Sequence, residues 1–112
     1  MSRGITYLAC PYSYPSREVR QSRFESANRA AGELMVRGLI VFSPVSHSHM
    51  IAEQCNLPFD FTFWREWNLA FLALSKQMYV LRCLGWTESV GLKAEMDYAI
   101  EAQIPVFFMD ED

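Results

Sequence analysis

The chain lacks several features that would announce a function, and each absence removes a class. No apolar run approaches the roughly 20 residues needed to cross a bilayer. The apolar part of MSRGITYLACPY is also too short for the core of a signal peptide. A cytoplasmic protein that does not engage membranes is therefore expected. Basic charge is not in excess, with 10 Lys and Arg against 13 Asp and Glu, a net charge of -3. A general binder of nucleic acid polymers needs a basic face, so that class is set aside. A small anion held in a local pocket is not. The three cysteines, Cys10, Cys55 and Cys83, are odd in number and show no C-x-x-C spacing, which points to free thiols in a reducing compartment. The loop CPYSYPS contains no glycine, so it is neither a G-x-G-x-x-G fingerprint nor a P-loop. No cofactor is expected. Repeats, low-complexity tracts and linkers are absent, and residues 1–112 read as a single domain.

What is present is a core-forming chain with strand and helix signals in alternation. Hydrophobic residues make up 51% and charged residues 21%, as in ordinary globular domains. Residues 5–10 read as a buried strand closed by Pro11. A helix over 17–37 follows, with Phe24, Ala27, Ala31, Leu34 and Met35 at helical spacing and Gly38 placed as its C-terminal glycine. Residues 39–42 read as a second strand. Residues 43–60 read as an irregular segment containing one helical turn. A helix over 60–75, a strand over 78–83, a helix over 89–102 and a strand over 104–109 complete the pattern. Strands alternating with helices imply an α/β fold, a flavodoxin-like or Rossmann-like doubly wound parallel sheet of about four strands flanked by helices. Ligands in such sheets bind at the carboxyl ends of the strands, so the loops after Cys10, Phe42 and Cys83 and the tail after Met109 are the places to look.

Four segments carry possible chemistry. In "SVGLKAEMDYA", Ser89 is a helix cap, Gly91 lets a ligand approach the backbone, and the first-turn N–H groups form an anion site. Glu95 lies on that helix beside Leu92 and Ala99, at the edge of the apolar face. The competing reading is a capped helix with an exposed glutamate. In "YLACPYSYPS", Tyr12, Ser13 and Tyr14 follow the strand and can stack on a base or bond a sugar, or simply cover the edge of the core. In "SPVSHSHM", an extended chain would put His47 and His49 on one face. No third ligand is placed to make a metal site with them, so they read as a pocket-lining pair or a turn. Finally, "FDFTFWREWNLAFLAL" is apolar nearly all round, which suggests self-association into a homodimer or larger homo-oligomer. Cys10 and Cys83 have no basic neighbour to activate a thiol and read as buried and inert.

Three of these segments, in order, resemble the nucleoside 2-deoxyribosyltransferase-like superfamily, which includes deoxynucleoside-monophosphate N-glycosidases, and within it short bacterial members. They are Tyr7-Leu8-Ala9-Cys10-Pro11; a helix and strand running from Arg23 through Ala30, Leu34, Gly38, Val41, Ser43 and Pro44; and Ser89, Gly91, Glu95 and Ala99. The likeness spans nearly the whole chain. It implies that Glu95 is a nucleophile and that Ser89 binds the sugar or its 5′-phosphate. It also implies a pocket for a nucleoside or nucleotide lined by Tyr7, Cys10, Tyr12, Ser13, His47 and Gly91, and a neighbouring subunit that completes it. The acidic residue that usually assists the leaving base is replaced here by Asn68, which cannot deliver a proton as a carboxylic acid does. Asp60, Glu66 and Glu88 are unranked substitutes. The expected function is N-glycosidic chemistry on a 2′-deoxynucleoside or its 5′-monophosphate, by hydrolysis or base exchange. The rival is a non-catalytic nucleotide-binding or sensing module on the same fold, and a third reading is a structural dimerisation domain.

Overall fold

The computed structural model describes residues 4–111. Its elements run β1 (Ile5–Ala9), α1 (Arg17–Val36), β2 (Val41–Phe42), α2 (Pro44–Cys55), α3 (Phe61–Ala73), β3 (Ser75–Arg82), a short 3₁₀ turn (Trp86–Glu88), α4 (Val90–Glu101) and β4 (Val106–Asp110). All strand pairs are parallel, in the order β2-β1-β3-β4. The doubly wound α/β expectation is thereby borne out. The chain steps from β1 to β2 on one side, then crosses back over β1 to place β3 on the other. The reversal point is the gap between the carboxyl ends of β1 and β3, where such sheets leave a crevice.

Strand alternation assigns the two faces. Leu8 and Cys10 point to one side and pack with Ala27, Ala30, Ala31 and Leu34 of α1. Tyr7 and Ala9 point to the other and pack with Leu72 of α3 and Leu92 and Ala99 of α4. The small residues of α1 let it lie close to the sheet, while Met35 and Val36 stay exposed. Gly38 follows the helix at φ 90 and donates its N–H to the Met35 carbonyl, and Leu39 donates to Leu34, which closes the last turn.

The second and fourth strands each start two residues later than expected, at Val41 and Val106, and two larger differences separate the structure from the sequence reading. Residues 44–55 form α2, a full helix, where an irregular segment is expected. Ser43 caps it, accepting from the Ser46 N–H at 3.3 Å, and Pro44 occupies its first turn. Asn56 ends it in the left-handed region at φ 54. The Ser-His-Ser-His run has weak helix propensity, but its caps and the burial of Val45, His49 and Ala52 override that. The third strand starts at Ser75, three residues before the expected one, because α3 closes at Leu74 and the Ser75 hydroxyl turns back to the Phe71 carbonyl at 2.9 Å.

The helix α3 buries only Leu72 fully. Phe71 stacks on Phe42 with ring centres 4.1 Å apart, and Trp67 stacks on His47 at 5.2 Å. Phe63 and Trp67 remain 49% and 38% exposed, and Leu74, which caps the helix, 73%. Among the described residues, no helix is long and apolar enough to cross a membrane.

Candidate functional site

A cleft opens at the reversal point of the sheet. The loop after β1, the start of α2, the α2–α3 linker, α3 and the start of α4 all contribute to its wall. Glu95 of α4 is the one carboxylate lining it among the described residues.

Glu95 sits one turn in from the capped end of α4, where Ser89 accepts from the Leu92 N–H at 3.1 Å. It is 4% exposed. The sequence reading put it at the edge of the apolar face, and the structure places it deeper. Two donors hold the same oxygen: the Tyr7 hydroxyl reaches Oε2 at 2.7 Å and Asn68 Nδ2 reaches it at 3.0 Å. Among the described residues nothing donates to Oε1, and no buried side-chain oxygen is left without a partner. Oε1 is therefore the oxygen that faces the cleft. Burial pushes the Glu95 carboxyl up to about 7, against the two hydrogen bonds, which favour the ionised form. Burial, and then the Glu95 charge, hold the Tyr7 phenol well above its ordinary value, so it stays a neutral donor.

The other residues singled out from the sequence fall into three groups. Asn68, Ser89, Gly91, Cys10, Tyr12 and Ser13 line the same cleft as Glu95. Tyr7 lies behind the carboxylate, fully buried, and meets the site through its hydroxyl alone. His47 is not part of the wall: it is on the exposed side of α2, stacked against Trp67. The helix explains this, because residues two apart point to different sides of a helix, whereas in an extended chain they share a face. His49 is the histidine that lines the cleft. Of Asp60, Glu66 and Glu88, none lines it.

Several of these side chains already have partners. Ser13 donates its hydroxyl to the Phe59 carbonyl at 2.8 Å, which ties the loop after β1 to the α2–α3 linker. Cys10 lies with its sulfur 3.9 Å from that of Cys83, both as free thiols. The contact with Cys83, and then burial, hold the Cys10 thiol well above its ordinary value, so it is no nucleophile. Gly91 is needed for a different reason than the one expected. A Cβ there would lie 2.8 Å from the Phe61 ring, so the missing side chain makes room for α3. Among the described residues, no group of three or more His, Cys, Asp or Glu gathers to hold a metal ion.

His49 was read from the sequence only as one of a pocket-lining pair or a turn, and its contacts with Gln21 and Phe24 were missed. Tyr12 Oη lies 2.6 Å from His49 Nδ1, and His49 Nε2 lies 2.9 Å from Gln21 Oε1 of α1. Phe24 stacks on the imidazole at 4.4 Å. The available signal was the spacing Val45, His49, Ala52, an inward helical stripe legible once Ser43-Pro44 is taken as a helix start.

Comparison with curated proteins gives no match. A family model described as a domain of unknown function, DUF1937, matches residues 4–111. The chain belongs to that family.

Proposed function

We propose that this member of the DUF1937 family breaks the N-glycosidic bond of a 2′-deoxynucleoside or its 5′-monophosphate, with Glu95 as nucleophile. The observation that carries this reading is the Glu95 carboxylate itself. It is buried at the head of a cleft, held by Tyr7 and Asn68 through one oxygen and open to the cleft through the other. Such an arrangement fixes the direction of attack and leaves one lone pair for carbon.

In the proposed reaction, Oε1 forms a bond to C1′ as the C1′–N bond breaks and its electron pair leaves with the base. The charge that builds on the sugar is oxocarbenium-like, which a carboxylate stabilises, and the ester divides one hard step into two. Water then takes the sugar in a hydrolase, or a second base takes it in a transferase. The first turn of α4 offers N–H groups and the Ser89 hydroxyl, which accepts from the Leu92 N–H and still carries its own proton to donate. These suit a 5′-phosphate or a sugar hydroxyl. The rings of Phe59, Phe61 and Trp64, which also line the cleft, suit a base.

Asn68 supports a second reading. Retaining glycosidases employ two carboxyl groups about 5–5.5 Å apart, and this cleft has one among the described residues. A nucleotide-binding module without turnover fits that deficit. We also propose that a second copy of the chain covers Phe63, Trp67 and Leu74. A proton NMR time course over a panel of deoxynucleosides and their monophosphates tests the enzymatic reading. Release of free base by the wild type, and its loss in Glu95→Ala, is the expected result. Binding without release selects the second reading.

A further inference from the structure

The Tyr12 wall has a fixed hydrogen-bond polarity. Gln21 Oε1 only accepts, so His49 Nε2 must donate to it. The imidazole is buried and stacked under Phe24. Burial is the leading effect that lowers its basicity, with Glu53 on α2 opposing and Arg20 and Arg17 on α1 reinforcing. In the neutral ring Nε2 holds the one proton, and Nδ1 is left as a lone pair. The Tyr12 hydroxyl, 2.6 Å away, therefore donates inward to Nδ1. Beside it, the Ser13 hydroxyl is likewise spent on the Phe59 carbonyl. Both residues line the cleft, and both hydroxyls have committed their only proton to the protein. What they offer a ligand is lone pairs.

From this geometry we infer that Tyr12 and Ser13 select a base bearing an exocyclic amino group, adenine or cytosine, over its keto counterpart, hypoxanthine or uracil. The inference rests on the reading that this cleft takes a deoxynucleotide with C1′ at Glu95, which leaves the base for the Tyr12 and aromatic wall. An amino group donates to the waiting lone pairs. A carbonyl oxygen at the same ring position sets lone pair against lone pair, and a buried acceptor without a donor is costly. His49 and Gln21 act here as positioning residues. They touch no ligand in this scheme but decide which way the Tyr12 proton points.

The test is calorimetric titration with the 5′-monophosphates of deoxyadenosine, deoxyinosine, deoxycytidine and deoxyuridine, with base release followed by proton NMR in the same samples. Each amino member should bind roughly tenfold or more tightly than its keto partner. Tyr12→Phe should collapse both ratios. Gln21→Leu, on the exposed side of α1, should narrow them by freeing the His49 tautomer, which a purely structural glutamine would not do. Equal binding of the two members of each pair, a keto preference, no binding of any of the four, or ratios that survive in Tyr12→Phe would overturn the inference. Amino preference without base release leaves the selectivity standing and removes the glycosidic reading. Base release without preference does the reverse.

Discussion

Replacing Glu95 by Gln should make the protein more stable, and by an amount that depends on pH in a defined way. The carboxyl titrates near 7 in the folded chain against 4.5 unfolded. Between those values the native state holds a proton that the unfolded state has released. Stability therefore falls as pH rises through the window. At about 1.4 kcal/mol per pH unit, the loss by pH 8 is about 3 kcal/mol. A glutamine keeps the shape and turns its carbonyl oxygen to Tyr7 and Asn68, the partners that now hold Oε2. Its amide faces the cleft and carries no charge. Glu95→Gln should therefore exceed the wild type by about 3 kcal/mol at pH 8, and the gap should close toward pH 4. Urea unfolding midpoints of both proteins from pH 4 to 8.5 measure this directly, because all other titrating groups cancel in the difference. A difference that does not change with pH, or a wild type that is the more stable at pH 8, would refute the argument.

Three further outcomes follow from the same geometry. Asn68→Asp puts a carboxylic acid beside Glu95 and should speed base release in the NMR assay, with the optimum moved to lower pH than in the wild type, since the new acid must be protonated to act. Gly91→Ala drives a methyl group to 2.8 Å from the Phe61 ring and should cost about 1–3 kcal/mol in urea unfolding, with Phe61→Ala recovering part of it. Sedimentation at micromolar concentration should show a species heavier than 13.0 kDa, and Trp67→Glu, on the exposed face of α3, should reduce it to the monomer.

How much of this was legible in the sequence depends on what each inference required. The sheet was legible because its strands are short apolar runs between clear helix ends, such as Gly38 after α1 and Ser89 before α4. Glu95 was found through its neighbours: Ser89, Gly91 and Ala99 fix the helix, and the helix fixes the face. Its depth was not legible, since that depends on Tyr7, 88 residues away in sequence, reaching it with a hydroxyl. The histidines show the reverse failure. With residues 43–60 read as irregular, the extended spacing put both histidines on one face, and the resemblance carried only His47 to the pocket. The helix separates them: His47 meets Trp67 at the surface, and His49 enters the cleft with Gln21 behind it. Gln21 itself carries no local signal, because an exposed glutamine on a long amphipathic helix is ordinary. Its meaning comes only from the imidazole it faces. The same helix therefore decides two things at once. By seating His49 between Gln21 and Tyr12 it sets the polarity of the ligand wall, and by leaving His47 outside to stack on Trp67 it props the exposed aromatic face of α3. A register shift in α2 would break the His49–Gln21 contact and the His47–Trp67 stack together, and the two proposals, on ligand choice and on self-association, predict that both would then be lost.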